Sequence, residues 1–425
     1  MNRNPLYTEK DTCRLCNSEN LQLILSLRPT PLANSYGETR QEAEALPHIP
    51  LDLNECTDCL HIQLGVVVSA PQLFRDYLYV SGTSRIFRKH FHEYADSMMQ
   101  WIPAEKPLVV DIGSNDGTLL KYFLDQGCTV QGIDPARNVA ELATQNGIPT
   151  LPEFFSKDTC DWILAHHGQA DLVTANNVCA HVDDLRSLMD NVRHLLKPSG
   201  VFSFEVSYLL DVEENLLFDT IYHEHLDYHK VTSLIPFLKS CGLSLVDVKR
   251  VPSHGGSIRC IAVKSESSNQ KASAALQDCL DEEEAHRGKE DMGLAGFAGR
   301  ISILAQELQL QLSNSVHSQR QVWGFGAPAK ATTLMHQLEL DSNSIVQIVD
   351  DSPLKVGRFM PGSGIPIVSA AELDSGRPAK IVILAWNFAE AIADRLMREF
   401  MFKGPILTPL PVLKTLSARN QHGLV

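Results

Sequence analysis

From Leu108 to Val263 the chain alternates short apolar runs with stretches whose apolar residues recur every three or four positions. Short apolar runs bounded by Gly, Asn or Asp predict buried strands, and the longer periodic stretches predict amphipathic helices. Leu108–Ile112, Thr129–Ile133, Asp171–Thr174 and Val201–Val206 read as strands. Thr118–Asp125, and the stretch carrying Leu185, Leu188, Val192 and Leu195, read as helices, the second broken by Lys197-Pro198-Ser199-Gly200. After a helix over Val231–Ser240, Leu243–Val251 and Ser257–Val263 meet across a glycine connection, which predicts an antiparallel pair. Strand and helix in this alternation predict an α/β fold, a Rossmann-like middle domain over 69–265 with a mostly parallel seven-stranded sheet.

The pattern resumes near the carboxy terminus. Val322-Trp323-Gly324-Phe325-Gly326-Ala327-Pro328-Ala329-Lys330 follows a short strand and opens a helix, giving a GxGxxxK turn. Ile345–Val349 and Ile381–Leu384 are further strands, and a flexible loop, Gly357–Gly364, carries Arg358. A second Rossmann-like domain over 321–425 follows. Lys330 in a first helical turn opposes the helix dipole, so an anion such as a diphosphate is expected there, with Lys330 and Arg358 as substrate-binding residues. The same glycine turn with Asp350-Asp351 also suits a nicotinamide-dependent oxidoreductase. Between the domains, 266–320 reads as a helical connector, and Asp281-Glu282-Glu283-Glu284 within it as a solvated face.

Ahead of the middle domain, Cys13-Arg14-Leu15-Cys16 and Cys56-Thr57-Asp58-Cys59 are two matched CxxC knuckles. Paired knuckles can aim four thiolates at one tetrahedral zinc, and a site closed by four cysteines is structural rather than catalytic. A zinc-stapled domain over 1–68, serving as lid or platform, is expected. The loop and helix over 69–105 carry Tyr77 and Tyr79 among several hydroxyls, which suits a substrate-facing loop. Cys128, Cys160, Cys179, Cys241, Cys260 and Cys279 are scattered and read as reduced, buried thiols.

Composition narrows the chemistry. The 425 residues carry a formal net charge of -14, which opposes nucleic acid and anionic membrane surfaces. The polar amino terminus and the lack of long apolar runs predict a cytoplasmic protein with no membrane partner. Asp111-Ile112-Gly113-Ser114-Asn115-Asp116-Gly117 closes the first strand with an acid where a dinucleotide fold would show GxGxxG. That turn suits a ligand with a cationic amino-acid tail, held by Asp111, Gly113, Asn115 and Gly117. Asp134 ends the second strand where a carboxylate reaches ribose hydroxyls, or else caps the helix that follows. Residues just past strand ends line the ligand crevice of such sheets, which makes Asn176, Asn177, His181, Glu205 and Tyr208 candidates.

The densest polar run is Tyr222-His223-Glu224-His225-Leu226-Asp227-Tyr228-His229. Imidazoles, phenols and carboxylates in such density serve either metal binding or proton transfer near neutral pH.

In order along the chain, the paired knuckles, DIGSNDG, NNVCAHVDDL, FEVSYL, IYHEHLDYH, HGGSIR, WGFGAPAK, VDDSPLK, GRFMPG and ILAWN resemble the sugar C-methyltransferases that act on nucleotide-linked keto-deoxysugars. The resemblance implies S-adenosylmethionine in the middle domain, a structural zinc at the amino terminus, and a dTDP- or GDP-linked 4-ketosugar between the middle and carboxy-terminal domains, methylated at C-3. It further implies that His225 is the base, with Tyr222, Glu224 and Tyr77 or Tyr79 around the sugar. A sugar O-methyltransferase, the oxidoreductase and a zinc-stapled nucleic-acid binder are the competing expectations.

Overall fold

The computed structural model describes residues 6–75, 82, 85–267, 272–287, 293–316, 321–376 and 378–416. Its central sheet is built from Leu108–Ile112 (β1), Thr129–Ile133 (β2), Thr150–Leu151 (β3), Ala170–Asn176 (β4), Leu196–Ser207 (β5), Leu243–Val251 (β6) and Ser257–Lys264 (β7). The spatial order is β6-β7-β5-β4-β1-β2-β3. β7 runs antiparallel to both of its neighbours, and the pairings among β1 to β5 are parallel. Side chains alternate across the pleat as strand geometry demands. Val110, Ile112, Val173 and Ala175 join a cluster with Phe202 and Phe204, whereas Val109, Leu172 and Val130 join a separate one with Phe123 and Tyr94. Both faces are therefore buried, which is why these strands read as continuous apolar runs.

Two expectations need correction here. The Lys197–Gly200 break lies within β5, whose ladder with β4 shifts register between Leu196 and Val201, so the strand begins at Leu196. The acidic run is not a solvated face throughout. It lies on the helix Ala274–Arg287, whose Leu276 and Cys279 enter the apolar cluster, and Glu283 is buried with them. Its carboxylate accepts from the backbone N–H of Val231 (2.7 Å) and Thr232 (2.9 Å), from the Thr232 hydroxyl (2.5 Å) and from the Tyr208 hydroxyl (2.9 Å). These bonds hold the start of the helix Val231–Ser240, whose first N–H groups have no partner within the helix.

The second sheet contains Val322–Phe325 (β8), Gln347–Val349 (β9), Ile367–Val368 (β10), Lys380–Ile383 (β11), Ile406–Thr408 (β12) and Lys414–Leu416 (β13). Its order is β10-β9-β8-β11-β12-β13, parallel except for β13. Trp323, Phe325, Ile381, Ile383 and Leu396 lie in its core.

The chain gathers into two compact units whose members interleave in sequence. The first contains Met1–Leu23, Asn54–Asp211 and Glu224–Gly288, and with them the cysteine knuckles and the seven-stranded sheet. The second contains Ile24–Leu53, Val212–His223 and Lys289–Val425, with the sheet β8 to β13. Among the described residues no helix is long and apolar enough to cross a membrane.

Candidate active site

The two knuckles in the first unit fold alike. Asn17 N–H donates to the Cys13 carbonyl and Leu60 N–H to the Cys56 carbonyl, while Cys13 N–H and Cys56 N–H reach the carbonyls of Ser18 and His61. Asn17 (φ 60°) and Leu60 (φ 62°) take the left-handed conformation that closes each turn. The result brings Cys13, Cys16, Cys56 and Cys59 together, their sulfurs all within 4.8 Å of one another. Cys13 Sγ lies 3.5 Å from Cys59 Sγ, and Cys16 Sγ 3.6 Å from Cys56 Sγ. A tetrahedron with Zn–S bonds of about 2.3 Å separates its sulfurs by about 3.8 Å, so the set fits one zinc with no open position. The hydrogen bond from Cys59 lowers the Cys13 thiol against its burial, and the same contact raises Cys59.

Each knuckle also reaches the segment that carries His225. The Arg14 guanidinium donates to the Leu64 carbonyl (2.9 Å), the Leu226 carbonyl (3.3 Å) and Asp183 (2.9 Å). His61 pairs with Asp227 at 2.6 Å, both side chains fully buried. Leu226 and Asp227 are the two residues after His225, and they are held from the zinc side.

The cofactor turn lies at the carboxyl ends of β1, β2 and β4. Gly113 (φ 70°) has no room for a side chain: a Cβ would come within 2.5 Å of Val178. Asn115 (φ 50°) and Asn177 (φ 55°) hold strained left-handed positions in the two facing turns. Asp111 is buried with its Oδ1 2.6 Å from the Thr174 hydroxyl, and burial pushes it up to about 7, with the Asp134 charge adding to the rise. Asp134 accepts from the N–H groups of Asn115 (2.8 Å) and Ala136 (2.9 Å), so it organises the glycine turn and caps the next helix together. Burial raises it too. Beside them the Asn176 amide is buried, and neither its nitrogen nor its oxygen finds a partner among the described residues. Two buried carboxylates and an unpartnered amide fit a cationic amino-acid tail and a ribose, which S-adenosylmethionine offers.

His181 and His225 meet edge to face with ring centroids 4.9 Å apart, and Phe74 lies 5.5 Å from His181. Burial pushes His181 down to about 4, so its ring is neutral near pH 7 and adds no positive charge beside His225. Glu224 is buried and His225 half-buried. Tyr77 and Tyr79 lie outside the described residues.

Two expected crevice residues are engaged elsewhere. Tyr208 is fully buried against Glu283, a core position. Glu205 is 1% exposed and sits between Arg259 (2.7 Å) and His90 (2.7 Å), with the guanidinium 3.8 Å over the Tyr94 ring. This buried triad satisfies the Glu205 charge within the protein, so Glu205 braces the end of β5 rather than facing a ligand. His90 and Arg259 were not anticipated. A lone cation inside the apolar run Ser257–Val263 was the available signal for Arg259.

In the second unit Tyr222 and His223 are buried, with His223 Nε2 3.3 Å from the carbonyls of Ile49 and Pro50. Arg358 is half-buried in its loop, its N–H donating to the Lys355 carbonyl. Asp350 Oδ2 accepts from the N–H of Ala327 (2.7 Å) in the glycine turn, and its Oδ1 from the N–H of Ser352 (2.8 Å) in its own loop. Burial pulls the Lys330 ammonium below its usual range, and the charge of Asp219 opposes part of that fall.

Comparison with known proteins agrees along the chain. Residues 13–74 match the family described as "Putative zinc binding domain", 85–248 a methyltransferase domain and 252–411 the C-methyltransferase C-terminal domain. The chain is 32% identical over 412 residues to the C-methyltransferase NovU of Streptomyces niveus, covering 96% of this chain and 98% of that protein. A ubiquinone biosynthesis O-methyltransferase of Thiobacillus denitrificans is 30% identical over 138 residues, 29% of this chain and 59% of that protein. The crystal structure of an S-adenosylmethionine-dependent methyltransferase from Clostridium acetobutylicum is 15% identical with a TM-score of 0.34, covering 42% of this chain and 92% of that chain. Alignment with NovU over nearly its full length, three matched domain families and a cofactor turn of this chemistry place the chain in the family of S-adenosylmethionine-dependent C-methyltransferases.

Proposed function

We propose that this C-methyltransferase acts on a dTDP- or GDP-linked 4-keto-deoxysugar and methylates C-3, with His225 as the base. The observation that carries the reading is His225 itself: half-buried, beside a neutral His181, and followed by two residues anchored through Arg14 and His61. The order of motifs shared with the sugar C-methyltransferases supplies the substrate class.

Methylating a carbon requires a carbanion, and a sugar carbon becomes acidic enough only beside a carbonyl. His225 removes the C-3 proton and becomes an imidazolium, while the C–H electron pair moves into the C-3–C-4 bond and the negative charge onto the C-4 oxygen. Tyr222, with Tyr77 or Tyr79, donates to that oxygen, and Glu224 stands beside the sugar. When bound, S-adenosylmethionine would supply a methyl group activated by its sulfonium charge. Asp111, Asp134 and Asn176 bind and orient that cofactor.

Incubation with a panel of 4-keto nucleotide-sugars in deuterated water, without cofactor, tests the reading. Deuterium should enter at C-3 of the accepted sugar, and His225→Ala should lower exchange and methyl transfer at least about a hundredfold while cofactor affinity stays near normal. Methyl found on oxygen, or exchange that survives the loss of His225, would sink it.

A further inference from the structure

Numbered within its own unit, the sheet β8 to β13 has the order 3-2-1-4-5-6, with the reversal between β8 and β11. Open α/β sheets take their ligands at the carboxyl ends of the strands flanking that reversal. The turn Gly324–Lys330 leaves β8 there, and Ala385-Trp386-Asn387 leaves β11. The two turns touch, since a Cβ on Gly326 (φ 88°) would meet Ala385 Cβ at 2.4 Å.

The chain's own segment Phe218–Thr220, a turn of 3-10 helix followed by Ile221, packs against these turns. Phe218, Asp219 and Ile221 are fully buried and Thr220 is 1% exposed. Asp219 Oδ2 accepts from Trp386 Nε1 at 2.5 Å, and Lys330 Nζ lies 5.7 Å from the centre of the same indole. Thr333, one turn along the helix Lys330–Gln337, donates its hydroxyl to the Ile221 carbonyl at 2.9 Å. Asp219 Oδ1 is buried and finds no hydrogen-bond partner among the described residues, so Trp386 is the side chain that anchors this carboxylate. The next residues in sequence are Tyr222, His223, Glu224 and His225.

We propose that Lys330 and Trp386 are positioning residues for methyl transfer, seating Asp219 at the switch point of the second sheet and so fixing the stretch that leads into Tyr222, Glu224 and His225. The kinetic part rests on the assignment of His225 as base; the structural part does not.

Lys330→Met, Asp219→Asn and the milder Thr333→Val, made in the full chain with zinc and cofactor bound, test it by two readouts. Hydrogen exchange in peptides covering 216–226 should speed by about tenfold or more in the first two variants, with peptides of β8 and β11 unchanged. With the nucleotide-sugar that the wild type accepts, kcat should fall about tenfold while KM stays within about twofold, and Lys330→Arg should recover most of the loss. Thr333→Val, which removes one hydroxyl, should move both readouts the same way by less and serves if the charge variants do not fold. Unchanged exchange over 216–226 would overturn the proposal. So would a large rise in KM with kcat intact, which would make Lys330 a phosphate ligand. If the wild type turned over no nucleotide-sugar, the substrate reading would fall and the exchange comparison would still decide the seat of Asp219.

Discussion

Replacing Asp111 by asparagine should abolish a pH dependence that cofactor binding otherwise carries. The carboxyl is 3% exposed, and burial lifts it from an ordinary 3.8 to about 7 despite the hydrogen bond from Thr174. A rise of about three units is about 4 kcal/mol against the charged form in the empty site. Because the folded value lies above the unfolded one, the stabilising contribution of Asp111 is complete below about pH 4 and is lost as the pH climbs through 7. A cationic ligand reverses the preference: it takes the ionised carboxylate and expels the proton. The ionised fraction is about a tenth at pH 6 and about three-quarters at pH 7.5, so affinity should improve about eightfold, or about 1.2 kcal/mol, across that interval. Calorimetric titration with S-adenosylmethionine in two buffers of different ionisation enthalpy measures both affinity and proton release. Release should approach one proton at pH 6 and fall to about a quarter at pH 7.5. Asp111→Asn should bind more weakly, with the Asp111 proton gone from the balance. A flat wild-type affinity, or the same slope in the variant, would refute the reasoning and assign the proton elsewhere.

Two further outcomes follow from buried groups outside the cofactor turn. Glu283→Ala strands the N–H groups of Val231 and Thr232 and the Tyr208 hydroxyl, so unfolding of the first unit should come about 3 kcal/mol earlier, read as a drop of several degrees in the thermal transition. Metal analysis should find one zinc per chain, and Cys56→Ser should lose it and lower the unfolding temperature, while the preparation that remains folded keeps its affinity for cofactor.

The strands and the glycine turn from Leu108 to Ile133 were legible because their information is local: apolar runs, a turn that needs left-handed residues, and an acid at each strand end. The knuckles were legible for the same reason. Glu283 was not, since nothing in Asp281–Glu284 distinguishes the one acid that turns inward, and its donors lie on residues 208, 231 and 232. Glu205 was noticed as a charge at a strand end, but its partner Arg259 is 54 residues away in the chain, so it was assigned to a ligand. Asp219 had its own signal, a single carboxylate after Leu216-Leu217-Phe218. A charge inside an apolar run is costly to bury and implies a partner, although it does not say which one. The assignment of Ile24–Leu53 to the second unit has no local signature at all.

That last assignment changes what the zinc ligands do for the polymer. The two knuckles belong to the first unit, yet most of the chain between Cys16 and Cys56 is an excursion that folds with residues beyond Lys289. An ion that gathers both knuckles ties the neck of a loop whose body is stabilised elsewhere. The entropy of closing a loop of that length, about 3 to 4 kcal/mol by a chain-statistics estimate, is then met at the metal rather than by contacts within Ile24–Leu53. Metal loss should therefore be felt first as freedom in a segment that donates no ligand. During synthesis the knuckles can close before the residues that complete the excursion's fold have been made.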